Sequence, residues 1–318
     1  LVFHGNNKST GELRMAIDER VGTIVVDSSD EMDRIEALAP SGSMRPTVLI
    51  RLNPGIEAHT HEYLQTGVED SKFGLPLAEG QAEIAIERAR ASAAMEFRGV
   101  HVHVGSQVFD VESFSQAVRA LAPVVNAADA EEFSIGGGLG VAYVAGESSG
   151  SIAEWGAAVQ SVASDAGITA RITAEPGRAI VAQAAVTAYT VGTIKTVPGI
   201  RTYVSVDGGM SDNPRPVLYG SGYEAALARS VDAERPLGAR IVGKHCESGD
   251  VIVKHASLPA DVAVGDVVIT PVTGAYGHSM GSNYNKILRP PVVFVRDGDA
   301  RVVVERETYS DLMVGDVG

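Results

Sequence analysis

The chain has 318 residues, of which 45% are hydrophobic, and a formal net charge of −14 at pH 7. A chain of this length can bury a substantial core in one large domain or two. Its acidic balance argues against a general affinity for nucleic acid or for an anionic membrane. The lone cysteine, Cys246, excludes an internal disulfide and suits a reducing cytoplasm. No apolar run approaches the roughly 20 residues of a membrane span, so we predict a cytoplasmic globular protein.

Short β-branched runs alternate with helical stretches in the first half of the chain. The predicted strands are residues 1–3, 23–26, 47–52, 100–104, 133–135 and 172–174. Segments with apolar residues at helical spacing lie between them, at 11–21, 31–39, 79–94 and 114–128. This alternation indicates a buried parallel sheet.

Six such strand–helix units are visible, whereas a closed (β/α)₈ barrel needs eight. Polar or glycine-rich turns follow the predicted strands, and the chemistry of a barrel sits at that end of its strands. We therefore expect an α/β fold, a TIM barrel whose first two units lie upstream of Leu1. An open, doubly wound sheet of six strands is the competing architecture.

The second half of the chain has a different pattern. Helical stretches largely disappear after about residue 185, and short strands separated by turn residues follow, at 187–193, 202–206, 240–242, 251–253, 266–269, 292–295 and 301–304. We expect a barrel over residues 1–185 and a C-terminal all-β domain over residues 186–318.

Two motifs at predicted strand ends suggest binding of an anion. The glycines at 136–138 and 140 would let backbone N–H groups approach a phosphate, but they lack the third glycine of a dinucleotide fingerprint. Glu-Pro-Gly-Arg at 175–178 offers a carboxylate for a protonated ring nitrogen and an arginine for phosphate or carboxylate. Taken singly, a tight turn without ligand and a structural ion pair remain alternatives.

Histidines and a cysteine form further candidate sites. His101 and His103 alternate along a predicted strand, so both imidazoles should face one side of the sheet. The same spacing recurs at His59 and His61, which raises the alternative of a metal-dependent barrel hydrolase, although further ligands would be needed. Cys246, taken alone, fits an inert buried thiol better than a reactive one.

Taken in order, the motifs resemble those of diaminopimelate decarboxylases, in the alanine-racemase-like class of pyridoxal-phosphate enzymes. They are His-Gly-Asn-Asn-Lys-Ser at 4–9, Glu-Asp-Ser-Lys-Phe-Gly at 69–74, His-Val-Gly-Ser-Gln at 103–107, the triple glycine, Glu-Pro-Gly-Arg, Cys-Glu-Ser-Gly-Asp at 246–250 and Gly-Ala-Tyr at 274–276. The resemblance implies a (β/α)₈ barrel plus a β-domain, pyridoxal 5′-phosphate as cofactor, and a homodimer with active sites at the subunit interface.

The resemblance also implies a cofactor site. His103 would stack on the cofactor ring, and Glu175 would pair with its pyridine nitrogen, which keeps that nitrogen protonated and the ring a strong electron sink. The residues expected to bind the cofactor are His103, Ser106, Gly138, Glu175, Gly177, Arg178 and Tyr276.

The implied reaction is decarboxylation of meso-2,6-diaminopimelate to L-lysine, the last step of lysine biosynthesis. Arg178, Arg215 and Tyr219 match residues that clamp the substrate's distal carboxylate, and Tyr276 also belongs to the substrate set. Glu247 matches the carboxylate that faces the distal ammonium. Cys246 and Glu247 would reach into the partner's site, and Cys246 joins Glu175 and His103 as expected catalytic residues.

One element of the family pattern is missing from the sequence. The family's Schiff-base lysine lies on the first barrel strand, upstream of the motif at 4–9, and Lys72 belongs to a different motif. A catalytically inactive regulatory relative is therefore one alternative. A decarboxylase of another basic amino acid, ornithine or arginine, is a second, although the Arg215 and Tyr219 pattern argues against it.

Overall fold

A computed structural model of the chain describes residues 1–39, 45–56 and 70–318. The chain divides into two compact units, one comprising Leu1–Val141 and Ser148–Ala179 and the other comprising Ala142–Glu147 and Ile180–Gly318. His59, His61 and the first residue of the motif at 69–74 lie outside the described residues. No helix in the described part is long and apolar enough to cross a membrane.

A parallel sheet forms the centre of the first unit. Its strands are β1 (Val2–Phe3), β2 (Thr23–Val26), β3 (Thr47–Asn53), β4 (Leu75–Pro76), β5 (Glu96–His101), β6 (Glu132–Ser134) and β7 (Arg171–Thr173). The order is β1-β2-β3-β5-β6-β7, and β4 pairs with the end of β3. Chain order is kept throughout, as in a barrel, whereas a doubly wound sheet reverses direction at a switch point. The doubly wound alternative is therefore wrong.

The sheet curls far enough to bring together side chains that follow its two edge strands. His4 follows β1 and Glu175 follows β7, the two strands at opposite ends of the strand order. His4 Nε2 nevertheless lies 3.0 Å from Glu175 Oε1. Side chains that follow different strands therefore converge at one mouth.

Helices cover the strands of the first unit. They are α1 (Thr10–Asp18), α2 (Ser29–Leu38), α3 (Gln81–Ala91), α4 (Val111–Ala127) and α5 (Ile152–Asp165). Ser9 with Glu12 and Ser151 with Glu154 form capping boxes that start α1 and α5. Every residue of β2 is buried, as expected of a parallel strand with both faces covered.

A mostly antiparallel sheet forms the centre of the second unit. Its order is β10-β13-β8-β9-β11-β12, with only the β9–β11 pair parallel, and β14 and β15 form a separate hairpin. The strands are β8 (Val186–Val197), β9 (Arg201–Val206), β10 (Ala226–Leu227), β11 (Leu237–Val242), β12 (Val251–Leu258), β13 (Val267–Pro271), β14 (Val292–Arg296) and β15 (Asp299–Val304). Its short helices are α7 (Arg215–Tyr219) and α8 (Gly277–Met280), and helix α6 (Gly177–Val181) begins in the first unit and ends in the second.

Three local predictions differ from the structure. The strand predicted at 100–104 is displaced, because β5 ends at His101 and the following residues turn toward the triple-glycine loop. His101 and His103 therefore do not share a strand. Helix α5 was not predicted, although Ser151 and Glu154 carry its capping signature. The predicted strand at 187–193 is the first part of a strand that continues to Val197.

Candidate active site

Three glycines after β6 form a loop that larger residues do not fit. Gly136 and Gly138 have φ of +65° and +107°, which side chains rarely adopt. A Cβ on Gly137 would lie 2.3 Å from Glu175 O, and one on Gly138 would lie 2.0 Å from Gly105 O. The loop can therefore offer main-chain groups to a ligand, as many phosphate-binding loops do.

The segment after β7 is tied to the glycine loop. Glu175 N–H donates to Gly136 O at 2.8 Å, and Gly177 N–H donates to Glu175 O at 2.8 Å. Arg178, one residue on in α6, is only 7% exposed. The structure thus brings Gly138, Glu175, Gly177 and Arg178 to the carboxyl ends of two adjacent strands.

Two imidazoles face the Glu175 carboxylate. His4 Nε2 donates to Oε1, and His101 Nε2 lies 3.5 Å from Oε2. Burial opposes ionisation of Glu175, but the interactions with His101 and His4 outweigh it and hold the pKa of its carboxyl well below its usual range. At neutral pH Glu175 is therefore an anion that can only accept hydrogen bonds.

His103 lies against the glycine loop. Gly137 N–H donates to His103 Nδ1 at 3.2 Å, so the proton of the neutral ring is on Nε2. Burial lowers the pKa of His103 to about 3, and the nearby Arg51 charge acts in the same direction. A neutral imidazole is suited to stack on an aromatic ring. Ser106 lies in the adjoining loop, next to Gly105.

Sequence reasoning missed a buried ion pair beside these groups. Arg51 Nη1 donates to Asp27 Oδ2 at 3.1 Å, and Gly74 N–H donates to Asp27 Oδ1 at 2.7 Å. The Arg51 guanidinium lies 4.7 Å from the centre of the Phe73 ring. A charged residue inside the otherwise apolar strand β3 was the available signal, because such charges are buried only when paired.

In the second unit, Arg215 lies in an aromatic enclosure and is 3% exposed. Its guanidinium is 4.9 Å from the Tyr143 ring and 5.5 Å from the Tyr219 ring. Nε donates to the Tyr223 hydroxyl at 3.0 Å, and Nη2 donates to Ser221 Oγ at 3.2 Å. The structure thus brings Arg215 and Tyr219 together and adds partners that the sequence did not indicate.

The loop between β11 and β12 carries Cys246 and Glu247. Asp250, 2% exposed, anchors this loop. Its carboxylate accepts from the backbone N–H groups of His245 at 2.9 Å and Met210 at 2.7 Å. Cys246 is exposed at the loop tip, so the expectation from residue type alone of a buried thiol is wrong. The anchored base and exposed tip suit a loop that presents its side chains outward.

Glu247 and Tyr276 are the other predicted residues of the second unit whose surroundings are defined. Glu247 accepts a hydrogen bond from the Tyr284 hydroxyl, and this bond raises the pKa of Tyr284. Tyr276 precedes α8 with φ of +63° and is 48% exposed. The predicted residues of the first unit are His103, Ser106, Gly138, Glu175, Gly177 and Arg178. Those of the second unit are Arg215, Tyr219, Cys246, Glu247 and Tyr276.

The described residues contain one group that resembles metal ligands. Ligand atoms of His4, His101 and Glu175 all lie within 4.8 Å of one another. The group includes only the first histidine of the pair at 101 and 103, so it is not the His-x-His site considered from the sequence. The other pair, at 59 and 61, lies outside the described residues.

Residues 1–182 match the family described as pyridoxal-dependent decarboxylase, pyridoxal binding domain. The chain belongs to this family. It is 45% identical over 322 residues to the diaminopimelate decarboxylase of Bacillus subtilis, covering 98% of this chain and 73% of that protein. It is 44% identical over 332 residues to that of Mycobacterium tuberculosis, covering 98% and 74%.

A solved structure gives the same result for the fold. The diaminopimelate decarboxylase of M. jannaschii in co-complex with L-lysine has a TM-score of 0.90 and 32% identity, covering 100% of this chain and 74% of that chain. This match confirms the predicted α/β fold, a barrel of the alanine-racemase-like type followed by a β-domain.

The first unit fits the pyridoxal cofactor that the family implies. The glycine loop has no side chains to cover its main chain and packs closely on the neighbouring loops, and a main-chain loop of this kind suits a phosphate. Ionised Glu175 can accept from a protonated ring nitrogen, and His103 offers a neutral imidazole for an aromatic face. These three properties belong to the residues themselves and match the three chemical parts of pyridoxal phosphate.

Proposed function

We propose that this protein uses pyridoxal 5′-phosphate to decarboxylate meso-2,6-diaminopimelate to L-lysine and carbon dioxide, the last step of lysine biosynthesis. The observation that carries the proposal is 42–45% identity over 98% of the chain to diaminopimelate decarboxylases. Decarboxylation of ornithine or arginine, and an inactive regulatory role, are not favoured because these relatives are enzymes of the diaminopimelate reaction.

In this proposal each cofactor-binding residue has a separate task. His103 would stack on the cofactor's ring, and Glu175 would hold a proton on its ring nitrogen. When bound, the cofactor would supply an electron sink for decarboxylation. Residues 1–185 form the cofactor-binding barrel, and residues 186–318 add active-site groups. The phosphate and its surroundings are assigned to Ser106, Gly138, Gly177, Arg178 and Tyr276.

The far end of diaminopimelate carries both a carboxylate and an ammonium, and the proposal pairs each with an opposite charge. Arg178 and Arg215 bind the distal carboxylate, and the aromatic rings around Arg215 hold its guanidinium in one place. Tyr219 and Tyr276 complete the substrate set. Glu247 accepts from the distal ammonium.

We further propose a homodimer in which each subunit completes the other's site. The dimer proposal is supported by the loop that Asp250 anchors. Its tip is exposed, so Cys246 and the adjacent Glu247 could reach the active site of a neighbouring subunit. There the Cys246 thiol can supply a proton to the carbon that loses carbon dioxide. An exposed free thiol also suits a reducing compartment, so we assign the protein to the cytoplasm.

Substitution of Arg215 tests the substrate assignment. We expect Arg215→Ala to lower kcat/KM for diaminopimelate by about 100-fold or more, because a charge left unpaired in a site is strongly penalised. The variant should have little effect on any residual reaction with lysine, which lacks the distal carboxylate. Glu247→Ala should damage both reactions.

Arg240→Ala is the matched control, since Arg240 lies on β11 and contacts only the Lys254 carbonyl, at 3.4 Å, among the hydrogen bonds described. It should leave both reactions unchanged. The thermal unfolding temperature of each variant separates loss of fold from loss of recognition. A correctly folded Arg215→Ala variant that keeps the preference for diaminopimelate would refute the carboxylate assignment.

A further inference from the structure

His101 is a buried polar group that the proposed reaction does not use. The residue is 2% exposed, and neither ring nitrogen has a hydrogen-bond partner within the described ranges. Its Nε2 lies 3.5 Å from Glu175 Oε2, too far for a well-formed hydrogen bond. A buried donor without an acceptor is costly, so a state of the protein in which His101 has a partner is favoured.

Glu175 is hydrogen-bonded to His4, and this contact is partly open to solvent. His4 donates to Glu175 Oε1 at 3.0 Å, and the side chains of His4 and Glu175 are 36% and 35% exposed. Both side chains are therefore partly open to solvent, whereas His101 is buried at the end of β5. His4 is therefore hydrogen-bonded to the same carboxylate that the proposed function assigns to the cofactor's ring nitrogen.

We propose that His101 is a positioning residue for Glu175: its Nε2 would donate a hydrogen bond to the carboxylate once His4 has left it in the cofactor-bound protein. This inference rests on the proposed function. In the cofactor-free protein the carboxylate is paired with His4. In the cofactor-bound protein, Glu175 would use one oxygen for the cofactor and would accept from His101 with the other.

The charges around the carboxylate favour this exchange. Burial keeps His101 neutral by lowering its pKa, and a neutral imidazole has one N–H to donate to an acceptor-only carboxylate. The other groups that act on Glu175 electrostatically are Arg51 and His103. Arg51 is already paired with Asp27, and His103 accepts from Gly137 N–H through Nδ1. His101 is thus the group placed to bind the second oxygen.

Affinity for pyridoxal 5′-phosphate, measured by equilibrium dialysis, tests the His101 step without an activity assay. We expect His101→Met to weaken binding by about 10-fold or more, because it removes a donor to a charged acceptor. His101→Gln keeps an N–H donor and should stay within about 3-fold of wild type. His255→Gln, at an exposed position on β12, should leave affinity unchanged.

The His4 step is tested in cofactor-free protein by carbon-13 NMR of the Glu175 carboxyl, assigned by its loss in Glu175→Gln. His4→Ala should change the chemical shift of that carboxyl carbon at neutral pH, because it removes the hydrogen bond from His4 Nε2, and should not weaken cofactor binding. Unchanged affinity in His101→Met, an unchanged chemical shift of the Glu175 carboxyl carbon in His4→Ala, or stoichiometric bound metal that is lost in Glu175→Gln would each overturn the inference. Failure of wild type to bind the cofactor would refute the proposed function as well.

Discussion

Lys8 and Glu31 form an ion pair with side chains only 1% exposed, close to the candidate site in sequence. Lys8 Nζ donates to Glu31 Oε1 at 2.6 Å and to the carbonyls of Val25 at 2.7 Å and Gly5 at 2.8 Å. Glu31 Oε2 accepts from Asp27 N–H at 2.9 Å. Every donor of the ammonium group is therefore occupied, which gives Lys8 a structural role.

Removing the ammonium should be severe because it leaves a buried carboxylate unpaired. We expect Lys8→Met to lower the free energy of unfolding by about 3–5 kcal/mol, and Lys8→Met with Glu31→Leu to recover a large part of that loss. Lys195→Met, at an exposed position on β8, should change it by less than about 0.5 kcal/mol. Urea unfolding measures all three. A loss of the same size in the double variant would contradict this explanation.

Glu175 has the most direct link between residue and chemistry. Glu175→Gln keeps the size of the side chain but removes the negative charge that would hold a proton on the cofactor nitrogen. We expect the variant to bind the cofactor more weakly but still to be loaded at saturating cofactor, and its turnover to fall by two orders of magnitude or more, since electrostatic groups of this kind contribute roughly 3 kcal/mol. The assignment fails if turnover of the cofactor-loaded variant is close to that of wild type.

The sequence suggested a role for a single residue only where the adjacent residues form a distinctive motif. Glu175 and Gly138 stand in distinctive strings after strands, and those strings pointed to a carboxylate and a phosphate cradle. The contact of His4 with Glu175 joins residues 171 positions apart, and that of Arg51 with Asp27 joins residues 24 apart. Such pairs depend on how the sheet curls, which no local pattern specifies.

Among the elements, the glycine loop makes the sharpest stability prediction. Gly137→Ala places a Cβ 2.3 Å from Glu175 O, so the two loops must separate. We expect a loss of about 1–3 kcal/mol in unfolding free energy and weaker cofactor binding. Gly156→Ala is the control, because Gly156 lies within α5 with nothing within 4 Å of an added Cβ.

The control should change stability in the opposite direction. Alanine is favoured over glycine in a helix interior by about 1 kcal/mol, so Gly156→Ala should stabilise the protein and leave cofactor affinity unchanged. Thermal unfolding and equilibrium dialysis measure the two effects. Equal effects of the two substitutions would show that the close packing of the glycine loop is unimportant.

Element types were more predictable than element ends. The apolar runs at β2 and β3 were identified because these strands are buried along their lengths. The end of β5 was not identified from the sequence, because the chain turns after His101 to pack against glycines that lie more than 30 residues later. The two-residue strand β10 is defined by its pairing with β13, and too short to carry a pattern of its own.

At the scale of the whole molecule, the buried histidines make stability depend on pH. Burial lowers the pKa of His101 and His103 from 6.5, to about 3 for His103. The unfolded chain therefore binds protons that the folded chain does not. Their contribution to stability is complete above pH 6.5 and is lost as the pH falls toward 3.

We expect the free energy of unfolding to fall between pH 6 and pH 4 by up to about 1.4 kcal/mol per pH unit for each such imidazole. His103→Gln should reduce that slope by the contribution of about one bound proton, up to about 1.4 kcal/mol per pH unit. His255→Gln, which replaces an exposed histidine, should not. Urea unfolding at several pH values gives the slopes, and an unchanged slope in His103→Gln would refute burial of a neutral imidazole.

The overall architecture followed from the rhythm of the sequence more than from any motif. Repeated strand–helix units predicted the parallel sheet, and the loss of helical spacing predicted the second, β-rich unit. The segment Ala142–Glu147 belongs to the second unit although first-unit segments flank it on both sides. Tyr143 in that segment packs on Arg215, a long-range contact that is invisible in a linear pattern.

The central claim is that the protein acts on diaminopimelate, and substrate preference tests it most directly. Wild-type protein, saturated with pyridoxal 5′-phosphate, would be assayed for carbon dioxide release from meso-2,6-diaminopimelate, ornithine, arginine and lysine. We predict a kcat/KM for diaminopimelate at least about 100-fold above that for each of the others, because only it carries both distal charges. An equal or higher value for ornithine or arginine would contradict the account.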